Sequence, residues 1–502
     1  MMLDFSSFFS KIVKSQEPTM PQVLLIFPQS PFPIFASSSG LGVLRKPFGF
    51  VPPLGILYVG RALLDAGYGV EAVDFNSTPY TESTLRKLLA EKDAVGITTS
   101  SFNRENVAAL IKEIKKSKPE VKIITGGPDI TLHPRLIEGA DLSITGEAEK
   151  TAPEIFDALI RGRDFSNLHG AIYKTPLSKK ILHGKEPYYE ADLDSIKFPA
   201  RGLLRADDKS QGYNLFGDRY KTTIATIIVT RGCPFQCRFC AHNAVTSQKY
   251  RKRSVNNCLE EIENLHREGY SILGFADDNF LSIVNRELVK GILKGIIDRR
   301  YEFIIIVEGR VDSAKDPELY TLMRKAGVAG VVYGMESMNQ DVLDFYQKRT
   351  TVELNRKASQ LTYRYGIFSI AHFIIGAPFE DEALINKMIK DVYSLRLDAV
   401  TFWALEYTYG APLWKEAKEK GMIDGSEHTV PAGCEHNLSP LSSSQLDSLC
   451  YRAFKGFYVR PRYWLRFFQK ILKFDRRTIY FMFRVLEKVL SYYLNIGMFK
   501  KS

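Results

Sequence analysis

Three cysteines on one short loop constrain this chain more than any other feature. Cys233, Cys237 and Cys240 are spaced Cys-x3-Cys-x2-Cys, directly after the apolar run 224–229. Three thiolates can each bind one iron of a four-iron cluster, whereas a closed zinc or ferredoxin-type site needs four ligands. The spacing therefore favours a cluster with one iron left open. A disulfide or a zinc knuckle is the alternative, and no second cysteine pair lies nearby to complete a zinc site.

The amine and carboxylate of a small molecule can chelate an open iron, and the motif resembles the signature of radical S-adenosylmethionine (SAM) enzymes. Phe239, the aromatic residue before the last cysteine, also matches that signature. The resemblance implies a 4Fe-4S cluster on the three cysteines and cleavage of SAM to a 5'-deoxyadenosyl radical. It also implies an electron donor such as a ferredoxin or flavodoxin.

Length and cysteine usage limit the remaining possibilities. The 502 residues suffice for two or three domains with cores of their own. The other cysteines are scattered, so we expect no disulfide framework and a reducing cytoplasm. No run approaches the roughly 20 apolar residues that span a bilayer. We divide the chain into an N-terminal extension (1–20), a first domain (21–160), a linker (161–221), a second domain (222–420) and a C-terminal helical basic and aromatic region (421–502).

The first domain alternates short apolar runs with amphipathic segments, which predicts a doubly wound, flavodoxin-like α/β domain. The expected strands are 23–27, 70–74, 94–98, 122–125 and 142–144. The expected helices are 53–66, 81–90, 104–117 and 134–138. Ligands of such sheets bind at the carboxyl ends of the strands.

Hydroxyls and glycines stand at these strand ends, and the arrangement resembles the cobalamin-binding domain fused to many radical SAM enzymes. The resemblance implies that Thr98, Ser100, Gly126 and Gly127 line the slot for the dimethylbenzimidazole tail of cobalamin. No Asp-x-His-x-x-Gly motif is present, and we interpret His133 as a loop residue. We therefore expect no histidine on the lower face of cobalamin. A flavodoxin-like domain without the cofactor is the alternative.

After the cysteines, about six further strand-helix units predict a partial (β/α)6 barrel with its site at the strand carboxyl ends. Asp277 and Asp278 follow one predicted strand in a turn resembling the family's Asp-Asp-x-Phe motif, where carboxylates can accept from the SAM amine. Arg310 follows the next strand and can hold the methionine carboxylate. A surface pair between Arg310 and Asp312 is the alternative.

Two later turns complete the resemblance. Gly334-Met-Glu-Ser337 resembles the family's Gly-x-Glu-Ser turn, which implies a SAM contact for Glu336. Gly376-Ala-Pro378 resembles its Gly-x-Pro turn, which implies that backbone groups around Gly376 read the adenine.

The C-terminal region is strongly basic. Residues 451–502 contain 13 Lys and Arg but only two acidic residues, and 15 aromatic side chains lie among them. Helical amphipathicity favours either a cap over the barrel or peripheral contact with a membrane surface through 451–502. Nucleic-acid binding is the third and least favoured interpretation, because no dedicated motif supports it.

The whole chain resembles the cobalamin-binding radical SAM proteins described as class B methylases, with the anaerobic Mg-protoporphyrin cyclase and hopanoid-modifying proteins as relatives. The resemblance implies cobalamin-dependent methylation of an unactivated carbon in a lipid-like or tetrapyrrole-like substrate. Radical cyclisation, rearrangement or carbon–carbon coupling on the same scaffold is the first alternative. A cluster-bearing binding or sensor protein without turnover is the second.

Overall fold

We describe a computed structural model of the chain. It describes residues 20–29, 52–78, 80–101, 103–175, 180–204, 223–247 and 249–483. The N-terminal extension lies outside the described residues apart from Met20. Two large sheets, one in each half of the described chain, organise the structure.

The first sheet has seven strands in the order β2-β1-β3-β4-β5-β6-β7. Its parallel strands are β1 (Gln22–Phe27), β2 (Gly69–Asp74), β3 (Ala94–Thr98), β4 (Lys122–Gly126) and β5 (Leu142–Ile144). The helices are α1 (Leu54–Asp65), α2 (Glu82–Leu89), α3 (Arg104–Ser117), α4 (Pro128–Leu132) and α5 (Ala152–Arg161). Helices cover both faces, which is why the central strands are continuous apolar runs such as Val23 to Ile26, all buried.

Two features of the first half differ from expectation. The helix predicted at 134–138 is wrong: the short helix here is α4, which begins at Pro128 and ends at Leu132, with His133 as its C-cap. Proline at the first helical position has its φ already set, and a residue that precedes a proline, here Pro134, avoids helical geometry. In addition, β6 (Ala171–Lys174) and β7 (Ile181–His183), from the expected linker, pair antiparallel onto the first sheet.

The second sheet has six parallel strands in the order β15-β14-β13-β12-β11-β8. They are β8 (Ile224–Ile227), β11 (Ile272–Phe275), β12 (Ile304–Gly309), β13 (Val328–Glu336), β14 (Phe368–Ile375) and β15 (Ala399–Ala404). Two small antiparallel pairs frame its carboxyl edge: β9 (Thr230–Arg231) with β10 (Arg251–Lys252), and β16 (Glu406–Thr408) with β17 (Thr429–Pro431). This order is that of an open partial barrel, and the predicted fold class is confirmed.

The helices of this half follow the strands in order. They are α6 (His242–Val245), α7 (Val255–Arg267), α8 (Arg286–Asp298), α9 (Pro317–Ala326), α10 (Gln340–Phe345), α11 (Val352–Arg364), α12 (Glu382–Ser394), α13 (Pro412–Glu419), α14 (Ser443–Tyr458) and α15 (Pro461–Ile471). Within the described ranges, no helix has both the length and the apolar character needed to cross a membrane.

The described part of the basic region closes the amino-terminal end of the barrel. α14 runs beside β15, and the Tyr458 hydroxyl accepts a hydrogen bond from the Val400 amide (3.2 Å). From α15, Lys470 forms an ion pair with Asp398, whose side chain is 3% exposed, and donates to the Ile367 carbonyl (2.9 Å). Since Ile367 and Asp398 directly precede β14 and β15, this helix lies at the end of the barrel opposite the predicted site.

Candidate active site

The cysteine loop connects β9 and β10 beyond the carboxyl end of β8. Gly232 precedes the first cysteine with a φ of 85°, and a Cβ there would lie 2.1 Å from the Lys249 carbonyl oxygen. Only glycine fits that approach. The far side of the loop is held by the Arg238 amide, which donates to the Tyr346 carbonyl (3.0 Å). The loop is therefore fixed at both sides by backbone contacts.

All six cysteines lie within the described residues and are free thiols, so the disulfide alternative does not form. Burial raises the pKa of the Cys233 thiol, and iron binding would be needed to keep it ionised at neutral pH. No three His, Cys, Asp or Glu side chains of the described chain are arranged to hold one metal ion. A cluster does not require such convergence, because each thiolate binds a different iron. Three thiols on one loop therefore fit a 4Fe-4S cluster.

Phe239 anchors the last part of this loop. Its ring contacts the Tyr346 ring edge-on, with centroids 5.2 Å apart, and the Lys348 ammonium lies 5.9 Å from the same ring. Phe239 thus packs against the segment that follows α10 and does not point to solvent.

The adjacent Asp277 and Asp278 have different surroundings. Asp277 is buried, and its Oδ1 accepts from the Val229 amide (3.0 Å) and the Thr230 hydroxyl (2.7 Å), while no described residue bonds its Oδ2. Burial raises its pKa to about 7, although these hydrogen bonds oppose the shift. Asp278 is exposed instead, and its Oδ2 lies 2.7 Å from His242 Nε2. Asp277 therefore fixes the start of the cysteine loop, and Asp278 is the carboxylate available to a ligand.

Arg310 lies beside the cluster loop at the end of β12. Its Nη1 is 3.8 Å from Cys237 Sγ, its guanidinium lies 3.6 Å from the centre of the Phe235 ring, and its Nε is 3.2 Å from Asp312 Oδ2. It also donates to the Lys348 carbonyl. The alternative pair with Asp312 does form, but it is buried next to a cysteine and does not lie on the surface.

Glu336 ends β13 in an unusual backbone conformation. Its φ is 62°, a region that L residues rarely adopt, and the pairing with β14 shifts register here. Its buried carboxylate accepts from Lys348 Nζ at 2.6 Å. Strain of this kind often accompanies a functional requirement. The pair places a fixed carboxylate beside the segment that supports Phe239 and Arg310.

Gly376 lies in a turn closed by an unpredicted carboxylate. Glu380 Oε2 accepts from the Gly376 amide (3.0 Å) and the Ala377 amide (2.9 Å), and Gly376 has a φ of 100°. Burial raises the pKa of Glu380 to about 7. Both amides are thus occupied, and the Ala377 carbonyl accepts from the Glu380 amide (2.9 Å), so the Gly376 carbonyl is the backbone group left for an adenine.

Sequence reasoning missed three interior residues: Lys348, His372 and Glu380. His372 Nδ1 lies 2.5 Å from the Thr401 hydroxyl, and burial lowers its pKa, so it is neutral. Its position as the single polar residue in the apolar run 370–375 of β14 was a usable signal for it. Lys348 gave none, because its pairing with Glu336 depends on the fold.

The first sheet carries a cavity of about 220 Å³ at its carboxyl edge. Its rim includes Thr98, Gly126, Gly127 and the turn 146–149, and its walls are apolar side chains, among them Leu25, Ile124, Ile144 and Phe156. Glycines give close backbone approach, and apolar walls suit a flat aromatic group such as dimethylbenzimidazole. The cavity fits the tail of cobalamin. Ser100 is not among the lining residues, and its amide bonds Asn103 Oδ1 (2.7 Å).

His133 belongs to a polar network between the two halves of the chain. Its Nδ1 lies 3.3 Å from Arg104 Nη2, and the same Arg104 atom lies 3.1 Å from His428 Nδ1. Arg104 also forms an ion pair with buried Asp129 (2.9 Å). His133 is therefore engaged at the contact between the first domain and the barrel.

Family comparisons match both halves. Residues 40–156 match the B12 binding domain, and residues 227–392 match the Radical SAM superfamily. The chain therefore carries a B12-binding domain and a radical SAM domain. The predicted cofactors, a 4Fe-4S cluster, SAM and cobalamin, are those that these two domains imply.

Relatives of this radical SAM protein extend over most of its length. An uncharacterized methyltransferase of Pyrococcus horikoshii is 26% identical over 82% of this chain and 88% of its own length. The anaerobic magnesium-protoporphyrin IX monomethyl ester cyclase of Rubrivivax gelatinosus is 30% identical over 68% of this chain and 61% of its own. TsrM from Kitasatospora setae, solved with cobalamin and a 4Fe-4S cluster, has a TM-score of 0.65 at 18% identity, covering 80% of this chain and 75% of that one. That last likeness shows a shared fold.

Proposed function

We propose that the protein is a cobalamin-dependent radical SAM methyltransferase that methylates an unactivated carbon. The observation that carries the proposal is the adjacency of the two candidate cofactor sites. The turn 146–149 lines the cavity, and its Glu149 forms an ion pair (2.7 Å) with Arg231, two residues before Cys233. A methyl carrier and a radical source are thus neighbours.

When bound, the cluster supplies the electron that cleaves SAM, and cobalamin supplies the methyl group. The residues of the chain bind these groups and orient them. We propose that Cys233, Cys237 and Cys240 hold the cluster, with Phe239 packed behind the loop. The proposed SAM contacts are Asp278, Arg310, Glu336 and the Gly376 turn, and Asp277 positions the loop. Thr98, Gly126 and Gly127 are proposed to hold the cobalamin tail, with Ser100 at the edge of that site.

The substrate class proposed is lipid-like or tetrapyrrole-like. Along the barrel strands, every second side chain points away from the helices. These side chains are partly exposed and largely apolar, among them Ile306, Ile370, Ile374 and Trp403. The cyclase relative, by its name, acts on a tetrapyrrole ester. That relative also favours the second candidate function, radical cyclisation or coupling on the same scaffold.

Two partners belong to the proposal. A ferredoxin or flavodoxin is the proposed electron donor. Peripheral membrane contact is supported by three apolar side chains that are exposed beside basic residues: Leu465 and Phe468 of α15, and Leu472, which directly follows the helix. Replacing all three with Ser should abolish flotation with anionic liposomes, and unchanged flotation would reject the contact.

Anaerobically reconstituted protein tests the function. We expect 5'-deoxyadenosine from SAM in wild type and none from Cys237→Ala, which loses a cluster ligand. Cys434→Ala, at an exposed cysteine outside the loop, is the matched control and should retain cleavage. Release of 5'-deoxyadenosine without S-adenosylhomocysteine with every accepted substrate would exclude methyl transfer and support the cyclase-like alternative. No SAM cleavage by wild type would support the sensor alternative.

A further inference from the structure

Four charged side chains join the cobalamin cavity to the cysteine loop. We call them the Arg-Glu bridge: Glu147 and Glu149 from the cavity turn, and Arg231 and Arg251 from the strands that frame the loop. Arg231 lies 2.7 Å from Glu149 and 3.3 Å from Glu147. Arg251 donates to both oxygens of Glu147, at 2.7 and 2.8 Å. All four side chains are between 8% and 15% exposed, so solvent screens them little.

The strand pairing makes the arginines depend on the cavity turn. Arg231 and Arg251 are direct partners in the antiparallel pair β9-β10. Like charges placed opposite each other destabilise such a pair. Glu147 contacts both guanidiniums and offsets that repulsion. The base of the cysteine loop is therefore stabilised by a carboxylate from the other domain.

The cavity side of the bridge is equally constrained. Gly146 has a φ of 85°, and a Cβ there would lie 2.8 Å from the Tyr188 carbonyl oxygen. Glu147 Oε2 accepts from the Glu190 amide (3.0 Å), which fixes its orientation. The residues from Gly146 to Glu149 all line the cavity, so a ligand filling it contacts the turn that carries both carboxylates.

We propose that the Arg-Glu bridge couples the two cofactor sites, with Arg231 as the positioning residue: filling the cavity with cobalamin orders the cysteine loop for SAM. Coupling is reciprocal, so SAM at the cluster strengthens cobalamin binding by the same factor. The inference rests on the proposed function in that it assigns the cavity to cobalamin and the loop to the cluster.

The test measures the affinity of cluster-loaded protein for hydroxocobalamin by equilibrium dialysis, with and without saturating SAM. In wild type, we expect saturating SAM to tighten hydroxocobalamin binding by about 5-fold or more, which is the lower end of typical coupling between two sites. Arg231→Gln should remove that difference while iron content and SAM binding in the absence of cobalamin persist. Glu149→Gln, a milder change that leaves Glu147 beside Arg231, should reduce it and decides the matter if Arg231→Gln does not fold.

Exposed Arg86→Gln, which breaks the surface pair with Glu82, is the control and should leave the SAM effect unchanged. A SAM effect that survives in Arg231→Gln, or one that is undiminished in Glu149→Gln where only that variant folds, overturns the coupling. So does wild type that binds hydroxocobalamin with equal affinity in both conditions. Wild type that binds no hydroxocobalamin in either condition overturns the cobalamin-dependent function as well, which separates the two failures.

Discussion

At the scale of single residues, two buried carboxyl groups support the cysteine loop and the Gly376 turn of the candidate site. Asp277 and Glu380 each use one oxygen to accept hydrogen bonds, while no described residue bonds the other oxygen. The pKa of each is about 7, raised chiefly by burial. A proton on the unbonded oxygen removes the cost of burying a charge. Below pH 7, both side chains are therefore uncharged and stabilise the backbone through the hydrogen bonds that they accept.

Glu380 gives a stability prediction with a definite sign. Its pKa rises from 4.5 to about 7 on folding, so the folded state binds the proton more tightly. The free energy of unfolding should then fall as pH rises from about 5 to 7, by roughly 2 to 3 kcal/mol, and level off above 7. Glu380→Gln cannot titrate, so its unfolding in urea should lack this component. An identical pH profile in both proteins would contradict the assignment.

The sequence alone predicted some of these site residues. The order of motifs identified Asp277, Asp278, Glu336 and Gly376 as candidates. It did not separate the two aspartates, because which of two adjacent side chains turns inward depends on how β11 ends. The fold alone determines that Lys348 reaches Glu336.

At the scale of elements, the alternation of short apolar runs with amphipathic segments predicted the strands closely. The reason is that strands of a parallel sheet are buried on both faces and are therefore continuous apolar runs. The error at 134–138 arose where a loop has helix-compatible residues between Pro134 and Gly139. Strands β6 and β7 were assigned to a linker, since their short sequences give little signal without their partner β5.

The glycine rim of β4 yields a test of the cavity. A Cβ at Gly126 would meet nothing closer than the Ile144 carbonyl oxygen at 3.5 Å, so a larger side chain there can enter the cavity without disturbing the backbone. Gly126→Leu should reduce hydroxocobalamin binding at least 10-fold and leave the melting temperature nearly unchanged. Gly202→Leu, at a glycine with open space outside this cavity, is the control. Equal affinity of Gly126→Leu and wild type for hydroxocobalamin would show that cobalamin does not bind in this cavity.

The helix α15 yields a test of the closed barrel end. Lys470→Ala leaves Asp398 buried without its cation and should cost about 3 to 5 kcal/mol of unfolding free energy. Asp398→Ala added to it should recover part of that loss in urea denaturation. The exposed neighbour Leu472→Ala should have little effect. A loss below 1 kcal/mol for Lys470→Ala would show that the tail does not pack on the barrel.

At the scale of the whole molecule, the sequence predicted where the basic residues concentrate, but it did not predict what the basic C-terminal region does. The sequence of the basic region is compatible with a cap over the barrel or with a membrane-binding segment, because amphipathic helices serve both. The packing of Tyr458 and Lys470 against the amino-terminal ends of β14 and β15 shows that the described part caps the barrel at the end opposite the candidate site. The candidate active site itself meets the proposed cobalamin cavity through the Arg-Glu bridge.

With the two proposed cofactor sites adjacent, we expect methyl transfer from SAM to cobalamin in this protein. The most direct measurement is S-adenosylhomocysteine formed from SAM by cluster-loaded protein under strong reductant, with and without cobalamin. We expect S-adenosylhomocysteine to appear with cobalamin and to be absent without it, and we expect Gly126→Leu to lower its formation. Reduced protein that binds cobalamin and cleaves SAM, yet forms no S-adenosylhomocysteine when cobalamin is present, would exclude cobalamin-dependent methyl transfer.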